Sequence, residues 1–390
     1  MTESQRRRFS RRTVRRAAVS GLSLVTLSAL AAVAAQAPAG AWPGSRLPAG
    51  QGACPPRATA LGFSDGLDKA VADGVTVGGL SDIAYDRRRH AYASTVDNHA
   101  TDPSRIWFWA GPEHAHTVGR PLVLTAPDGT PYTGATADNE GLAVLPGGNY
   151  LVSSETEPSI RIFDRRGRQR SQLPVPSRFQ VAPAGEATAN ATLEGLTVTP
   201  NGRRIVASME GTLSGDVGTD GTDTFRRLLV YTHGHHGWRL HRQLAYQVDP
   251  GNRIAEVQAY GRDGLLVLEA AFDTTVGNTV ELYAVHTRHA ADVRRVSDLA
   301  TAPAGDVLKK TLVTAVQECP SMGATAKETQ ANPLMDNFEG MSIRPLPGHP
   351  RHARQHARHG GEVARVLLIS DDNFSATQTT RVVDLAALLP

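Results

Sequence analysis

The sequence predicts an all-β protein, a β-propeller built from four-stranded antiparallel blades. Three observations predict it. A short alternating strand opened by an acidic residue recurs five times along the chain. Each recurrence runs through turn residues into a second strand that ends on another acid. Helical periodicity is scarce throughout, while a repeat of roughly 55–80 residues suits propeller blades.

The repeat openings are Asp82, Glu140, Glu194, Glu256 and Glu339, each followed by a short strand. Turn chemistry follows in most units: Asp86-Arg87-Arg88, Pro146-Gly147-Gly148-Asn149, Pro200-Asn201-Gly202 and Gly261-Arg262-Asp263-Gly264. Such residues close hairpins because Gly and Asn tolerate the left-handed backbone that tight turns require. The second strands end on Asp97, Glu155, Glu210, Glu269 and Asp371. Third strands are read at 105–109, 161–163, 227–231, 280–285 and 381–385, and a fourth at 238–248. A two-sheet sandwich would not need an acid at every strand start. The stretch 306–317 reads equally as helix or strand, and a sixth unit could lie in 300–336, so five or six blades remain open. The strand-like piece 58–63 precedes the first hairpin and is expected to close the ring as the outer strand of the last blade.

Residues 1–41 are expected to be a targeting segment and not part of the fold. Seven Arg precede an uncharged run from Ala17 to Ala41 that ends in small residues. This is the order of parts in a secretory signal. Ser10-Arg11-Arg12-Thr13-Val14-Arg15 further fits a twin-arginine address. Export to a secreted or extracytoplasmic location follows. Residues 42–74 then form an N-terminal segment carrying the closing strand, and 75–390 the propeller domain. Without 1–41, which holds one acid (Glu3), the basic count drops from 41 to 34 and the acidic count from 38 to 37. The net charge moves from +3 to −3, and the electrostatic case for nucleic-acid binding disappears. No later stretch is apolar enough to span a bilayer as a helix. The two cysteines, Cys54 and Cys319, are expected to pair in an oxidising compartment, where so long a loop would contribute about 4–5 kcal/mol in the chain-entropy model. A reactive thiol is the alternative, without a neighbouring His to support it.

The first and last residues of a hairpin lie at the same end of its sheet. Ten acids are therefore expected near one mouth of a central channel: Asp82 with Asp97, Glu140 with Glu155, Glu194 with Glu210, Glu256 with Glu269, and Glu339 with Asp371. The third strands open with Arg105, Arg161, Arg226/Arg227 and Arg381 at that same mouth. Two readings compete. Each acid can pair with a neighbouring Arg to hold blades in register, an interaction worth about 0–1 kcal/mol where exposed. Alternatively the carboxylates converge on a hard cation with oxygen ligands, Ca²⁺ before Mg²⁺, beside arginines that receive an anionic ester.

Other motifs carry less. His233-Gly234-His235-His236 falls at a turn far from the acids, and His349, His352, His356 and His359 fall in a Pro/Gly-rich insertion at 344–362. Asp216, Asp220 and Asp223 are loosely spaced like a Ca²⁺ loop but lack the closing Glu. No G-x-S-x-G, P-loop, H-E-x-x-H or dinucleotide fingerprint occurs.

Asp138-Asn139-Glu140-Gly141-Leu142, Leu193-Glu194-Gly195-Leu196, Leu266-Val267-Leu268-Glu269 and Asn337-Phe338-Glu339-Gly340-Met341, closed by Ser370-Asp371-Asp372-Asn373-Phe374, resemble the phytase-like domain. Members are often described as having the esterase-like activity of phytase. Gly78-Gly79-Leu80-Ser81-Asp82 fits as well, with Asp82 where Gly is expected, and the fourth unit has Glu256-Val257 in place of Glu-Gly. The resemblance covers about residues 75–388. It implies an exported propeller that hydrolyses phosphoric or other esters; a small anionic substrate and a monomeric state are the chain's further expectations. The motif positions it carries over are Glu140, Glu155, Glu194, Glu210, Glu269, Glu339, Asp371 and Asn373; from the acid rim itself, Glu140, Glu194 and Glu339 are expected to be catalytic. Glu155, Glu210, Glu269, Asp371 and Asn373 are the expected metal ligands, with Arg161, Arg227 and Arg381 for the substrate. A non-catalytic binding propeller of the cell envelope and a Ca²⁺-dependent lactonase-type propeller are the alternatives.

Overall fold

The computed structural model describes residues 47, 52–97, 100–235, 237–347 and 361–390. The expected targeting segment 1–41 and the histidines of the insertion lie outside these residues. The chain enters through β1 (Gly52–Cys54) and β2 (Ala58–Ser64), then a ribbon of β3 (Val71–Ala72) and β4 (Val75–Thr76). Blade 1 holds β5 (Ala84–Asp86), β6 (Ala91–Thr95), β7 (Arg105–Ala110) and β8 (His116–Thr117), with β9 (Leu122–Val123) also paired to β7. Blade 2 comprises β10 (Asn139–Val144), β11 (Tyr150–Ser154), β12 (Ser159–Phe163) and β13 (Gln169–Leu173). Blade 3 comprises β14 (Leu193–Val198), β15 (Arg204–Met209), β16 (Phe225–Gly234) and β17 (Gly237–Gln247). Blade 4 comprises β18 (Arg253–Tyr260), β19 (Gly264–Asp273), β20 (Gly277–His286) and β21 (Lys310–Ala315). Blade 5 joins β22 (Phe338–Pro345), β23 (Glu362–Ser370) and β24 (Val382–Leu389) to β2 and β1 from the other end of the chain.

The propeller therefore has five blades, all antiparallel, and no α-helix occurs among the described residues. The stretch with two readings resolves as β21, the fourth strand of blade 4, followed by a single 3-10 turn at Val316–Glu318. No sixth blade forms there. The register Ala58↔Ala387 to Ser64↔Val382 closes the ring with β2 and leaves blade 5 built from both termini. Cys54 and Cys319 form a disulfide, Cα to Cα 4.4 Å, which ties β1 to the segment just after blade 4.

The first strand of each blade is innermost: β5, β10, β14, β18 and β22 pack against one another around the channel. Hydrophobic cores fill the five spaces between neighbouring blades. Alternation along one strand feeds two of them. In β23, Val366 and Leu368 enter the core shared with blade 4, while Leu367 and Ile369 enter the one shared with blade 1. A strand buried on both faces needs an unbroken apolar run, which is why 366–369 shows no polar alternation. Each such side chain contributes about 1.5–3 kcal/mol by leaving water.

Candidate functional site

The inner strands do not run straight into the mouth. Each carries a β-bulge, one extra residue opposite its partner. In blade 2 the register passes from Asn139↔Ser154 to Leu142↔Val152, in blade 3 from Leu193↔Met209 to Leu196↔Ala207, and in blade 5 from Phe338↔Ser370 to Gly340↔Ile369. The residue after the first pair is Glu140, Glu194 or Glu339, and a glycine follows it. Those glycines are required by space. A Cβ on Gly195 would lie 2.8 Å from Glu256 Cα, and one on Gly340 would lie 2.6 Å from Asp82 Cα. In blade 4 the same shift passes from Ile254↔Glu269 to Glu256↔Leu268. Ala255 and Ala270 thus occupy the positions of Glu140 and Glu155. In blade 1 the bridge Leu80↔Val96 puts Ser81 and Asp97 there. Asp82 and Glu256 stand where the other blades have glycine.

This one-residue offset sorts the acids into two levels. The mouth gathers Asp97 from blade 1, Glu140 and Glu155 from blade 2, Glu194 and Glu210 from blade 3, and Glu339 and Asp371 from blade 5. Asp138, just before β10, joins them. Single carboxylate oxygens of Asp97, Asp138 and Glu140 lie within 4.8 Å of one another, as do those of Glu140, Glu155 and Glu194. Ser81 Oγ donates to Glu140 Oε2 at 2.7 Å, and the Thr192 amide donates to Glu155 Oε1 at 2.5 Å. Arg253 enters from blade 4. Its guanidinium reaches Glu194 at 3.3 Å, Glu210 at 3.2 Å and Glu339 at 2.8 Å.

Below the mouth, Asp82 and Glu256 meet across the channel and hydrogen-bond to each other. Asp82 accepts the amides of Ile83 at 2.5 Å and Leu142 at 2.6 Å, together with that of Met341. Glu256 accepts the amides of Leu196 at 3.2 Å and Val257 at 2.6 Å. One amide comes from each of the five blades. The bulges withdraw these N–H groups from their own ladders, and the carboxyl pair satisfies them.

The expectation of ten acids at one mouth is corrected for three of them. Asp82 and Glu256 form the channel hub. Glu269 is the register partner of Ile254 and turns into the space between blades 3 and 4, where it accepts from Tyr246 at 2.5 Å, Lys310 at 2.6 Å and Asn252 at 3.0 Å. The arginines do not interleave with the acids either. Arg227 is buried against Asp216, with bonds of 2.6 and 2.7 Å, and also reaches the carbonyls of Val293 and Val296. Arg381 pairs with Asp65 and reaches the carbonyls of Pro333, Leu334 and Thr325. Arg161 pairs with Glu157 at 3.2 Å and lies over the Tyr132 ring. Arg105 bonds the carbonyl of Pro103. The four third strands that carry an Arg place it toward the connecting loops, whose carbonyls and acids need a donor. Asn373 is exposed, and its backbone N–H donates to Asp371 Oδ1 at 2.7 Å. Asp216 is engaged by Arg227, so the loosely spaced aspartates do not converge. His233 and His235 lie at the β16–β17 turn, away from the mouth.

Sequence reasoning missed Arg253 and Asp138. Both occupy the position just before the bulge, filled by Thr192 in blade 3 and Asn337 in blade 5. A basic residue at this position, in the blade that also lacks Glu-Gly, was the available signal.

Burial and mutual repulsion shape the protonation of the mouth. Glu140 is raised well above the usual carboxylate range, first by burial and then by Asp97, Glu194 and Glu155. Glu194 is raised by burial and by Glu210. Glu155 is pushed up to about 8 by burial and Glu210, and Asp371 to about 8 by burial and Glu339. Glu210 is raised by burial, with Arg253 opposing. Among the described residues the buried Oδ2 of Asp371 has no hydrogen-bond donor, and the Asp371 carboxyl hydrogen-bonds that of Asp97. Eight oxygen-donor carboxylates, one guanidinium and a buried oxygen without such a donor fit a hard divalent cation.

The family model described as "Phytase-like: Esterase-like activity of phytase" matches residues 75–374. No curated protein matches the chain. Among solved structures, a putative oxidoreductase (glucose dehydrogenase) from Thermus thermophilus is 13% identical, with a TM-score of 0.34 over 80% of this chain and 89% of that one. A gluconolactonase from Xanthomonas campestris is 10% identical, with a TM-score of 0.33 over 82% and 88%. Virginiamycin B lyase from Staphylococcus aureus is 9% identical, with a TM-score of 0.30 over 76% and 67%.

Proposed function

The chain belongs to the phytase-like family, and from that premise we propose that it is a metal-assisted ester hydrolase acting on phosphate esters. The convergence of carboxylates from four blades on one mouth carries this reading. Asp97, Asp138, Glu140, Glu155 and Asp371 would hold the cation, Ca²⁺ by the hardness and number of the oxygens. When bound, a divalent cation offsets the carboxylate charge and polarises a phosphoryl oxygen.

The chain's own residues orient and move protons. Ser81 fixes the Glu140 carboxyl from one side through the 2.7 Å bond. Glu194 and Glu339 share Arg253, which holds both carboxylates facing the centre. Either can take a proton from an attacking water. Burial and Glu210 raise Glu194, so its ionised form is a stronger base than an exposed carboxylate. Release of p-nitrophenol from p-nitrophenyl phosphate by the purified protein, with and without Ca²⁺ and chelator, tests the reading. Glu194→Gln and Glu339→Gln are each expected to lower turnover at least about 100-fold. Turnover that ignores chelation and both substitutions would sink it.

The Cys54–Cys319 disulfide is consistent with an oxidising, extracytoplasmic compartment, and no described helix is long and apolar enough to cross a membrane. We further propose that 1–41 directs export by the twin-arginine route and that the mature chain acts as a monomer. Replacing both Arg11 and Arg12 with Lys should retain the protein in the cytoplasm, which fractionation would reveal.

A further inference from the structure

We propose that Arg253 is the residue that recognises the anionic group of the ester, a role for which the sequence suggested Arg161, Arg227 and Arg381. The inference rests on the hydrolase reading above and names the part of the site that selects a charged substrate. Its basis is a contrast among buried arginines. Arg227 and Arg381 each combine a two-bonded carboxylate with backbone carbonyls. Arg226 is held by the carbonyls of Glu210, Asp223 and Asn252. Carbonyls cannot turn away, so these guanidinium groups are committed to the fold.

The described partners of Arg253 are all side chains: Glu194, Glu210, Glu339 and Asn337, the last at 3.1 Å. All four belong to the mouth or its edge, and the Arg253 side chain keeps 26% of its surface exposed. Side-chain partners, unlike backbone carbonyls, can turn, so donors of this guanidinium can pass to an incoming anion. Its planar fork then matches two oxygens of a phosphate group. Blade 4 adds no competing acid, because Ala255 and Ala270 replace the carboxylates that blades 2, 3 and 5 provide. An anion approaching on that side meets the guanidinium with no blade-4 carboxylate beside it. The geometry favours phosphate monoesters over neutral esters and lactones, since a two-pronged donor gains most from two charged acceptor oxygens.

The test is calorimetric titration of inorganic phosphate into the Ca²⁺-loaded protein, the Arg253→Gln and Arg253→Lys variants, with turnover of p-nitrophenyl phosphate measured in parallel. Arg253→Gln should weaken phosphate binding about 30-fold, the loss expected for charge-assisted hydrogen bonds. Arg253→Lys keeps the charge without the fork and should weaken it several-fold. Ca²⁺ affinity, titrated with the metal alone, should stay level or tighten in Arg253→Gln because a competing cation has gone. Circular dichroism establishes folding, and if Arg253→Gln does not fold, Arg253→Lys decides. A folded variant that binds phosphate within twofold of the unsubstituted protein overturns the proposal. Arg253-dependent phosphate binding without ester turnover would leave this assignment standing and remove the hydrolase reading. Turnover with Arg253-independent phosphate binding would do the reverse.

Discussion

Two groups of carboxyls occupy the same channel, and their difference separates structure from chemistry. At the hub, Asp82 and Glu256 accept five backbone amides and share a hydrogen bond, so nearly every acceptor is used. At the mouth, eight carboxylates share one guanidinium, and Asp371 hydrogen-bonds another acid. Burial raises carboxyl pKa values in both places. A saturated hub holds the five inner strands in register without an added ligand. A mouth with surplus charge is at its most stable only when something positive enters.

The largest effect is expected at the hub. Asp82→Ala leaves the amides of Ile83, Leu142 and Met341 without an acceptor and should cost about 3–5 kcal/mol, measured by denaturant unfolding. A loss under about 1 kcal/mol would end the distinction between the two levels. Ca²⁺ should act at the mouth and in the opposite direction. At a hundredfold excess over Kd it should stabilise the protein by about 2.7 kcal/mol, and Glu140→Gln should remove most of that gain. An equal gain in that variant would move the cation elsewhere.

The pH dependence follows from the same charges. Glu155 and Asp371 titrate near about 8 in the folded state, against about 4 when unfolded. The folded state therefore holds more protons. The stability they contribute is fully present below about pH 4 and is lost as the pH rises through about 8. Without metal, Tm should fall between about pH 5 and pH 9, and saturating Ca²⁺ should flatten the fall. A metal-free Tm that climbs across this interval would contradict the surplus-charge picture. The smallest effect belongs to Glu269→Gln. It should cost about 1 kcal/mol through the Lys310 contact and leave Ca²⁺ affinity intact, because Glu269 lies outside the mouth. A large change in Ca²⁺ affinity would place it in the centre after all.

Period-2 alternation, turn residues and the recurrent Glu-Gly pair were legible along the chain, because hairpins are local. They determined the propeller, its five repeats and seven of the eight mouth acids. The closing strand was legible too, since 58–63 precedes the first hairpin of the repeat. The missing glycines at Asp82 and Glu256 marked the two exceptions, but their meaning was not local. A bulge moves one residue out of register, and with a side-chain period of 2 that shift redirects the carboxyl. Only the folded ring could show that these two displaced acids meet and collect an amide from every blade.

The arginines illustrate the same limit. Arg227 and Arg381 begin strands at the expected end, yet Asp216, in the loop just before its strand, and Asp65, near the other end of the chain, claim them first. Arg253 begins a strand with no acid beside it in the chain and reaches carboxylates of two other blades. The sequence by itself determined which groups stand at the ends of the strands, because strand and turn preferences are set within a few residues. The tertiary structure decided which of them meet, because closing the ring brings together strands more than fifty residues apart and lets burial choose each partner.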